Sequence, residues 1–131
     1  MKAKSVIHRG DVFTTSYVFP HERDITSGMS GIEKERPILI LQDDAENADE
    51  RYPLVLAAPL TTQKADRVYQ QDVLLPAGEA RLLQDSKVLL GMTQPFRKVR
   101  LSRQIGQVSP ARMREIDLKL QRLLGLRRLG S

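Results

Sequence analysis

The sequence contains no cysteine and no tryptophan, and its 131 residues include only two histidines, three tyrosines and three phenylalanines. The absence of cysteine excludes thiol nucleophiles, disulfide frameworks and cysteine-based zinc sites, and it fits a reducing compartment. The longest stretch without a polar side chain, residues 54–60, is too short for a membrane span. We therefore expect no signal peptide and no membrane association, and we expect a cytoplasmic protein.

Residues that commonly serve as acid-base catalysts or metal ligands are sparse and scattered. His8 and His21 flank a predicted strand of about 10 residues at about 3.3 Å each, so they would lie near its opposite ends. The acidic segment 43–50 lacks the central glycine of a calcium loop, and we interpret it as a solvated turn. A metal-dependent nuclease needs carboxylates that converge on an ion. We therefore expect no cofactor and no metal.

The positive charge is concentrated toward the carboxyl-terminal end. The formal net charge of the chain is +5. Residues 100–131 hold 8 Lys and Arg against 2 Asp and Glu, whereas residues 1–99 hold 13 against 14. Such asymmetry favours a polyanionic partner such as a nucleic acid.

Hydrophobic periodicity predicts a series of short strands followed by one helix. Ser109 and Pro110 supply the N-cap and the first position of that helix, which should end near Gly125. This order indicates a mainly β fold, a small curved sheet or barrel of five to six strands with a C-terminal amphipathic helix. The domain should cover residues 1–126, followed by a basic tail at 127–131. The predicted strands span residues 11–19, 38–41, 54–58, 68–75, 87–92 and, as a short sixth strand, 104–108.

Two prolines and a long loop set the expected limits of the central strands. Residues 20–35 are rich in glycine, serine and charge, and we interpret them as a long loop. Pro37 pushes Arg36 toward an extended conformation, so a strand buried on both faces should begin directly after it. Pro59 should end or bend the third strand and leave Thr61 at a strand end, where side chains reach solvent.

The polar residues with the clearest chemical use lie at the ends of two predicted strands. Metal-free RNA cleavage needs a group that holds and neutralises the phosphate while the ribose 2′-OH attacks, and groups that move protons. Arg36 suits the first task because planar guanidinium donors bind phosphate oxygens bidentately and keep their charge. Thr61 supplies a short, stiff hydroxyl. Taken alone, an Arg-Pro pair before a strand is common, and a structural role would be the better interpretation.

Taken together and in order, five segments resemble the MazF/PemK family of toxin endoribonucleases across residues 8–126. Each segment is short, but the ordered set is fairly specific. The segments are R-G-D-V at 9–12, E-R-P-I-L-I-L-Q-D-D at 35–44, A-P-L-T-T-Q at 58–63, D-S-K-V-L-L at 85–90, and the helix after Ser109-Pro110 that ends L-L-G-L at 123–126.

The resemblance implies an SH3-like barrel that forms a homodimer and cleaves single-stranded RNA, including mRNA, at short sequences without metal. It also implies 2′,3′-cyclic phosphate and 5′-hydroxyl products and a cognate MazE-like antitoxin that blocks the RNA groove. Arg36 matches the family arginine that engages the scissile phosphate and takes part in proton transfer, and Thr61 matches its companion threonine. Glu22, or else Glu33, would replace the acid of the family loop. The RNA-binding residues would be Lys34, Thr62, Gln63, Lys64, Gln94 and Arg97.

Two other functions remain open at this point. One is a non-catalytic toxin on the same barrel that resembles the CcdB gyrase poisons and makes its contacts through the C-terminal helix. The other is a plain RNA-binding barrel that uses the basic C-terminal third. Neither explains the pair Arg36 and Thr61, so we expect an mRNA-interferase toxin of a type II toxin-antitoxin system.

Overall fold

The computed structural model describes residues 6–17 and 34–126, in which an antiparallel sheet curls against a C-terminal helix. His21, most of the predicted long loop with Glu22 and Glu33, and the predicted tail 127–131 lie outside the described residues. The strands of the described part are β1 (Asp11–Tyr17), β2 (Lys34–Ile40), β3 (Leu54–Thr61), β4 (Asp72–Leu75), β5 (Ser86–Leu89), β6 (Gln94–Arg97) and β7 (Arg103–Gln107). The α-helices are α1 (Asp44–Ala48) and α2 (Pro110–Leu123).

The sheet curls because its longest strand changes partner. The strand order is β4-β5-β3-β2-β1-β7, and β6 lies off this path. Residues 54–57 of β3 pair with β6, whereas Leu60 and Thr61 pair with β5. The result is a half-barrel, which confirms the predicted mainly β class, with seven strands in the described residues rather than five to six.

Of the two predicted effects of Pro59, ending or bending the third strand, the first is wrong. The strand runs through the proline to Thr61, and Pro59 lies opposite Ile38 of β2. On the other edge, within residues 6–17 and 34–126, β3 has no paired residue between Ala57, its last contact with β6, and Leu60, its first contact with β5. A proline fits this gap because no neighbour on that edge requires the amide N–H that it lacks.

Strand β2 begins at Lys34, which places Arg36 and Pro37 inside the strand rather than before it. The cause is a long antiparallel ladder with β1, in which Arg36 lies opposite Thr15 and Lys34 lies opposite Tyr17. The local preference of proline predicts an extended backbone, but only the partner strand decides how far the ladder continues.

The centre of the sheet is buried on both faces, as predicted for residues 38–41. Leu39 packs into a cluster beneath α2 that includes Ile116 of the helix. Ile38 packs on the opposite face, in a second cluster with Phe96 of β6. Side chains alternate between the two faces along β2, so the same alternation decides on which face each of Lys34, Glu35 and Arg36 lies.

Helix α1 and strand β6 were not predicted. Helix α1 replaces the expected turn at 43–50, where the carboxylate of Asp43 accepts a hydrogen bond from the backbone N–H of Ala45 at 3.0 Å. The Lys98 amine donates to the carbonyls of Glu46 and Asp49 near the end of the helix. Strands β4 and β5 are shorter than predicted, and β6 escaped prediction because Pro95 interrupts a four-residue strand.

Helix α2 begins and ends where the sequence predicts. The Ser109 hydroxyl accepts a hydrogen bond from the backbone N–H of Arg112 at 3.3 Å, and Pro110 occupies the first turn. Gly125 follows the helix with φ +69°, a conformation that favours glycine. Neither α-helix of the described ranges combines the length and apolarity needed to cross a membrane.

Candidate active site

A surface groove of about 220 Å³ lies where the start of β2 meets the end of β3. It brings together two segments that are about 25 residues apart in the sequence, and it contains five of the residues that the sequence analysis singled out. The lining residues are Lys34, Glu35, Arg36, Pro37, Leu60, Thr61, Thr62, Gln63 and Ser86.

The strand register explains why Arg36 and Thr61 meet at this groove. In the ladder of β2 with β3, Ile38 lies opposite Pro59. Continuing the same antiparallel register by two residues sets Arg36 against Thr61. Residues opposite each other in a ladder project to the same face of a sheet. The candidate arginine and hydroxyl therefore share one face, at the point where the two strands diverge.

Arg36 is half-buried and is held against an aromatic ring. Its guanidinium carbon lies 5.9 Å from the centroid of the Tyr17 ring, within the range of a cation–π contact. The Tyr17 ring in turn packs edge to face against Phe96, with centroids 5.2 Å apart. This stack restricts the orientation of the guanidinium, which can offer planar donors to a phosphate in the groove.

Thr61 is the last residue of β3, and its hydroxyl is oriented by a local turn. The Oγ1 atom accepts a hydrogen bond from the backbone N–H of Gln63 at 3.1 Å. This arrangement uses an acceptor site of the hydroxyl and leaves its proton available for a hydrogen bond to a phosphate oxygen. Thr62 and Gln63 are exposed and continue the wall of the groove.

Glu35 was not selected as a site residue, yet among the described residues it is the acidic one that lines this groove, with its carboxylate hydrogen-bonded to residues outside the lining. Its Oε1 atom accepts a hydrogen bond from the Thr14 hydroxyl. Hydrogen bonds from the hydroxyls of Thr14 and Ser102 lower the pKa of Glu35, with a smaller contribution from the charge of Arg103, although desolvation acts in the opposite direction. Glu35 is therefore ionised at neutral pH and cannot serve there as a proton donor.

Ser86 is a second lining residue that was not selected. It is buried at the start of β5, and its hydroxyl donates to the carbonyl of Gln84 at 3.1 Å. The only signal for it in the sequence was its place in the D-S-K-V-L-L segment, which gave no role to its side chain. For Glu35 the signal was its position next to Arg36.

Three of the predicted RNA-binding residues lie outside the groove. Lys64 follows Gln63 with φ +52° but is not part of the lining. Gln94 lies in β6, and its side-chain amide donates to the carbonyl of Met92 at 3.1 Å. Arg97 borders a separate cavity of about 580 Å³ near α1. The groove itself contains Lys34, Arg36, Thr61, Thr62 and Gln63 from the predicted set.

Comparison with known proteins connects this groove and fold to a family. The sequence model of the family described as "PemK-like, MazF-like toxin of type II toxin-antitoxin system" matches residues 8–124. The endoribonuclease MazF6 of Mycobacterium tuberculosis is 37% identical over 93 residues, which cover 71% of this chain and 81% of the relative.

Solved structures show the same fold. An endoribonuclease from a mycobacterial species superposes with a TM-score of 0.70 at 23% identity, covering 97% of this chain and 99% of the other. An endoribonuclease in complex with its cognate antitoxin, also mycobacterial, superposes with a TM-score of 0.69 at 24% identity, covering 93% and 98%. Because the family model spans most of the sequence and a relative shares more than a third of its aligned residues, the chain belongs to the PemK-like, MazF-like toxins of type II toxin-antitoxin systems.

Proposed function

We propose that this toxin, an endoribonuclease of the MazF family, cleaves single-stranded RNA, including mRNA, at short sequences in the groove between β2 and β3. The observation that carries the proposal is that Arg36 and Thr61 both line that groove. The register of β2 with β3, extended beyond its last pair at Ile38 and Pro59, puts both side chains on one face of the sheet. A cation with planar donors beside a short hydroxyl is the arrangement that a phosphodiester requires while charge develops on it.

In the proposed reaction, the ribose 2′-oxygen attacks the adjacent phosphorus. A bond forms between the 2′-oxygen and phosphorus, the bond from phosphorus to the 5′-oxygen breaks, the 2′-OH loses its proton and the 5′-oxygen gains one. The products are a 2′,3′-cyclic phosphate and a 5′-hydroxyl end. Arg36 binds the non-bridging oxygens and takes part in the proton transfer, and the Thr61 hydroxyl donates a hydrogen bond to the phosphate.

The groove chemistry favours a mechanism without metal. Among the described residues, its charged lining consists of the cations Lys34 and Arg36 and one acidic residue, Glu35. A divalent ion that supports phosphoryl transfer is normally held by several oxygen ligands. Among residues 6–17 and 34–126, no three acidic or histidine side chains gather at one point.

The remaining RNA contacts follow from exposure and charge. Lys34, Thr62 and Gln63 are exposed in the groove and supply one cation and several hydrogen-bonding groups. Outside the groove, the sequence resemblance supports three more RNA contacts: Lys64, Gln94 and Arg97. A bound RNA longer than a few nucleotides has the length to reach them.

A homodimer, a MazE-like antitoxin and a cytoplasmic location complete the proposal. A mycobacterial endoribonuclease of the same fold has been solved with its cognate antitoxin, which supports an antitoxin as partner. The net charge of +5 suits both RNA and an acidic antitoxin segment that would compete for the groove. The two non-catalytic alternatives are disfavoured because the family is one of endoribonucleases and because neither uses Arg36 and Thr61.

End mapping on a long single-stranded RNA tests the proposal. The purified protein should produce 5′-hydroxyl ends at a restricted set of sequences, each opposite a 2′,3′-cyclic phosphate. RNA binding without cleavage would favour the plain RNA-binding barrel. Inhibition of DNA gyrase without RNA cleavage would favour the CcdB-like alternative.

A further inference from the structure

A single buried amine, that of Lys87 in β5, holds the loop that continues the groove wall. This loop, residues 62–71, joins β3 to β4 and begins with Thr62 and Gln63. Lys87 is only 6% exposed and does not line the groove itself. Lysine is almost never buried to this extent without a partner, so its surroundings require an explanation.

The Lys87 amine makes three contacts within or beside the loop. Its Nζ atom donates to the backbone carbonyl of Arg67 at 2.8 Å. The same atom lies 3.5 Å from the carboxylate of Asp72, which is 4% exposed, and 5.3 Å from the centroid of the Tyr69 ring. The amine therefore connects the middle of the loop to its carboxyl-terminal end.

Asp72 extends this connection through the backbone. Its carboxylate accepts a hydrogen bond from the backbone N–H of Tyr69 at 3.0 Å, and its own N–H donates to the Tyr69 carbonyl at 2.9 Å. At the other end of the loop, Thr61 lies directly opposite Lys87 in the ladder of β3 with β5. The Lys87 side chain thus ties the middle and the carboxyl-terminal end of the loop to β5, and the backbone of the same strand pairs with Thr61 at the other end.

A buried ion pair is an inefficient way to stabilise a fold, because desolvation of the two charges offsets most of their attraction. Apolar side chains of similar volume at both positions 87 and 72 would pack as well without that penalty, whereas removal of one partner alone leaves the other charge buried and unpaired. A pair of this kind instead favours one loop conformation, since other conformations would leave a buried charge without its partner.

We infer that Lys87 is a positioning residue for RNA cleavage: it holds residues 62–71 so that Thr61, Thr62 and Gln63 keep their places along the groove. The inference rests on the proposed function, because it assigns the loop to the RNA site. Lys87 acts through these residues and does not touch RNA.

Helix α2 provides a matched control on the same loop. The Lys119 amine donates to the backbone carbonyl of Asp72 at 2.7 Å. Lys119→Met therefore removes one amine-to-carbonyl bond at the end of the loop but leaves residues 61–67 and their contact with Lys87 untouched. Lys87→Met removes the contact to the middle of the loop, and Lys87→Arg keeps a cation that can donate to the Arg67 carbonyl.

The test combines kinetics with hydrogen exchange on the full-length protein, at a temperature where circular dichroism shows each variant folded. Lys87→Met should lower kcat on a short RNA that contains a mapped cleavage site by about tenfold to a hundredfold. It should also accelerate amide exchange in residues 63–67. Lys119→Met should do neither, and Lys87→Arg should retain most of the activity.

Unchanged kcat and exchange in folded Lys87→Met would overturn the inference, and so would an equal loss of kcat in Lys119→Met. If Lys87→Met does not fold, Asp72→Asn decides, because it keeps the lysine and nearly the same shape. It should raise exchange at 63–67 and lower kcat. If the wild-type protein cleaves no RNA, the proposed function fails, whereas the exchange data still show whether Lys87 orders the loop.

Discussion

The guanidinium carbon of Arg36 lies 5.9 Å from the centroid of the Tyr17 ring, on the neighbouring strand. Tyr17 packs against Phe96, which belongs to the buried cluster on this face of the sheet. The orientation of the candidate catalytic arginine therefore depends on the packing of β1 and β6 as well as on its own strand. In the proposed function, such a stack holds the donors of Arg36 in place for a phosphate before RNA binds.

Replacement of Arg36 or Thr61 should remove most RNA cleavage and leave the fold intact. The loss of one preorganised donor to a developing charge costs about 3–4 kcal/mol, so Arg36→Ala and Thr61→Ala should each lower kcat about a hundredfold or more. Arg36→Lys should also cleave poorly, because it keeps the charge and loses the planar donors. Cleavage rates on a mapped site, with circular dichroism of each variant, provide the measurement.

Arg51→Ala is the control for these substitutions. The Arg51 side chain is 93% exposed and pairs with Asp49 at 3.4 Å, away from the groove. This variant should cleave RNA at the wild-type rate. Near-wild-type cleavage by a folded Arg36→Ala protein would instead place the chemistry elsewhere on the molecule.

RNA cleavage should continue at an undiminished rate in excess EDTA. The reason is the composition of the groove, where the residues that the structure describes supply two cations and one acidic side chain, a poor ligand set for a divalent ion. Cleavage rates are measured after dialysis against the chelator. A rate that disappears on chelation and returns with magnesium would contradict the mechanism.

The Glu35 carboxylate should contribute stability at neutral pH that is lost in acid. Its pKa is lowered below the ordinary value of 4.5, mainly by the hydrogen bond from Thr14. The folded state therefore favours the ionised form, so the contribution is present above about pH 4.5 and disappears as the pH falls through the lower folded-state pKa. Thermal unfolding of wild-type protein and Glu35→Gln across this range measures it.

The gap in Tm between those two proteins should be widest near neutrality and should close in acid. Thr14→Val should narrow the same gap, because it removes the main cause of the lowered pKa. A gap that stays constant from neutral to strongly acidic pH would show that Glu35 makes no ionisation-dependent contribution.

RNA binding should weaken with salt, and Lys34 should account for part of the slope. Each phosphate contact on a single strand contributes about 0.7 to the slope of log affinity against log salt. Lys34→Ala should therefore reduce the magnitude of the slope by about 0.7, whereas Arg51→Ala should leave it unchanged. Fluorescence anisotropy with an uncleavable RNA measures both. Equal slopes for Lys34→Ala and the wild type would remove Lys34 from the RNA interface.

Gly106 of β7 should not tolerate a side chain. A Cβ atom at this position would lie 2.3 Å from the backbone oxygen of Ala80 and 2.7 Å from its carbonyl carbon. Because the neighbour is backbone, Gly106→Ala should lower the free energy of unfolding by about 1–3 kcal/mol. Gly91→Ala is the matched control, since its Cβ would meet only the Cγ atom of Gln71 at 3.6 Å. Denaturant unfolding compares the two, and equal midpoints would contradict the predicted clash.

Local signals in the sequence were sufficient for helix α2 and for the buried centre of β2. Ser109, Pro110 and Gly125 act within a few residues of the helix ends, so their effect can be predicted without the rest of the molecule. The continuous apolar run in β2 likewise required burial on both faces. The start of β2 and the end of β3 were predicted wrongly. Pro37 and Pro59 lie inside these strands because each is paired with a residue of a neighbouring strand, which the sequence alone does not show.

The sequence predicted which two segments form the candidate site, but it did not predict which residues of those segments line the groove. The ordered motifs pointed to Arg36 and Thr61, whose places along the groove the structure then supplied. Glu35 and Ser86 also line the groove, whereas Gln94 and Arg97 do not. Position along the sequence could not show which of these residues line the groove. Side chains alternate between the two faces of a strand. In addition, β5 pairs with the end of β3 that forms the groove, whereas β6 pairs with the beginning of β3.

By itself, the sequence determined the fold class, the helix and the family, since composition, periodicity and ordered motifs are all present in the order of residues along the chain. Only the tertiary structure decided that Arg36 rests on Tyr17 and that the buried Lys87 amine holds the loop after Thr61. These contacts depend on strand register and on the partner change along β3. Both are set by the packing of residues far apart in sequence, which local preferences cannot specify.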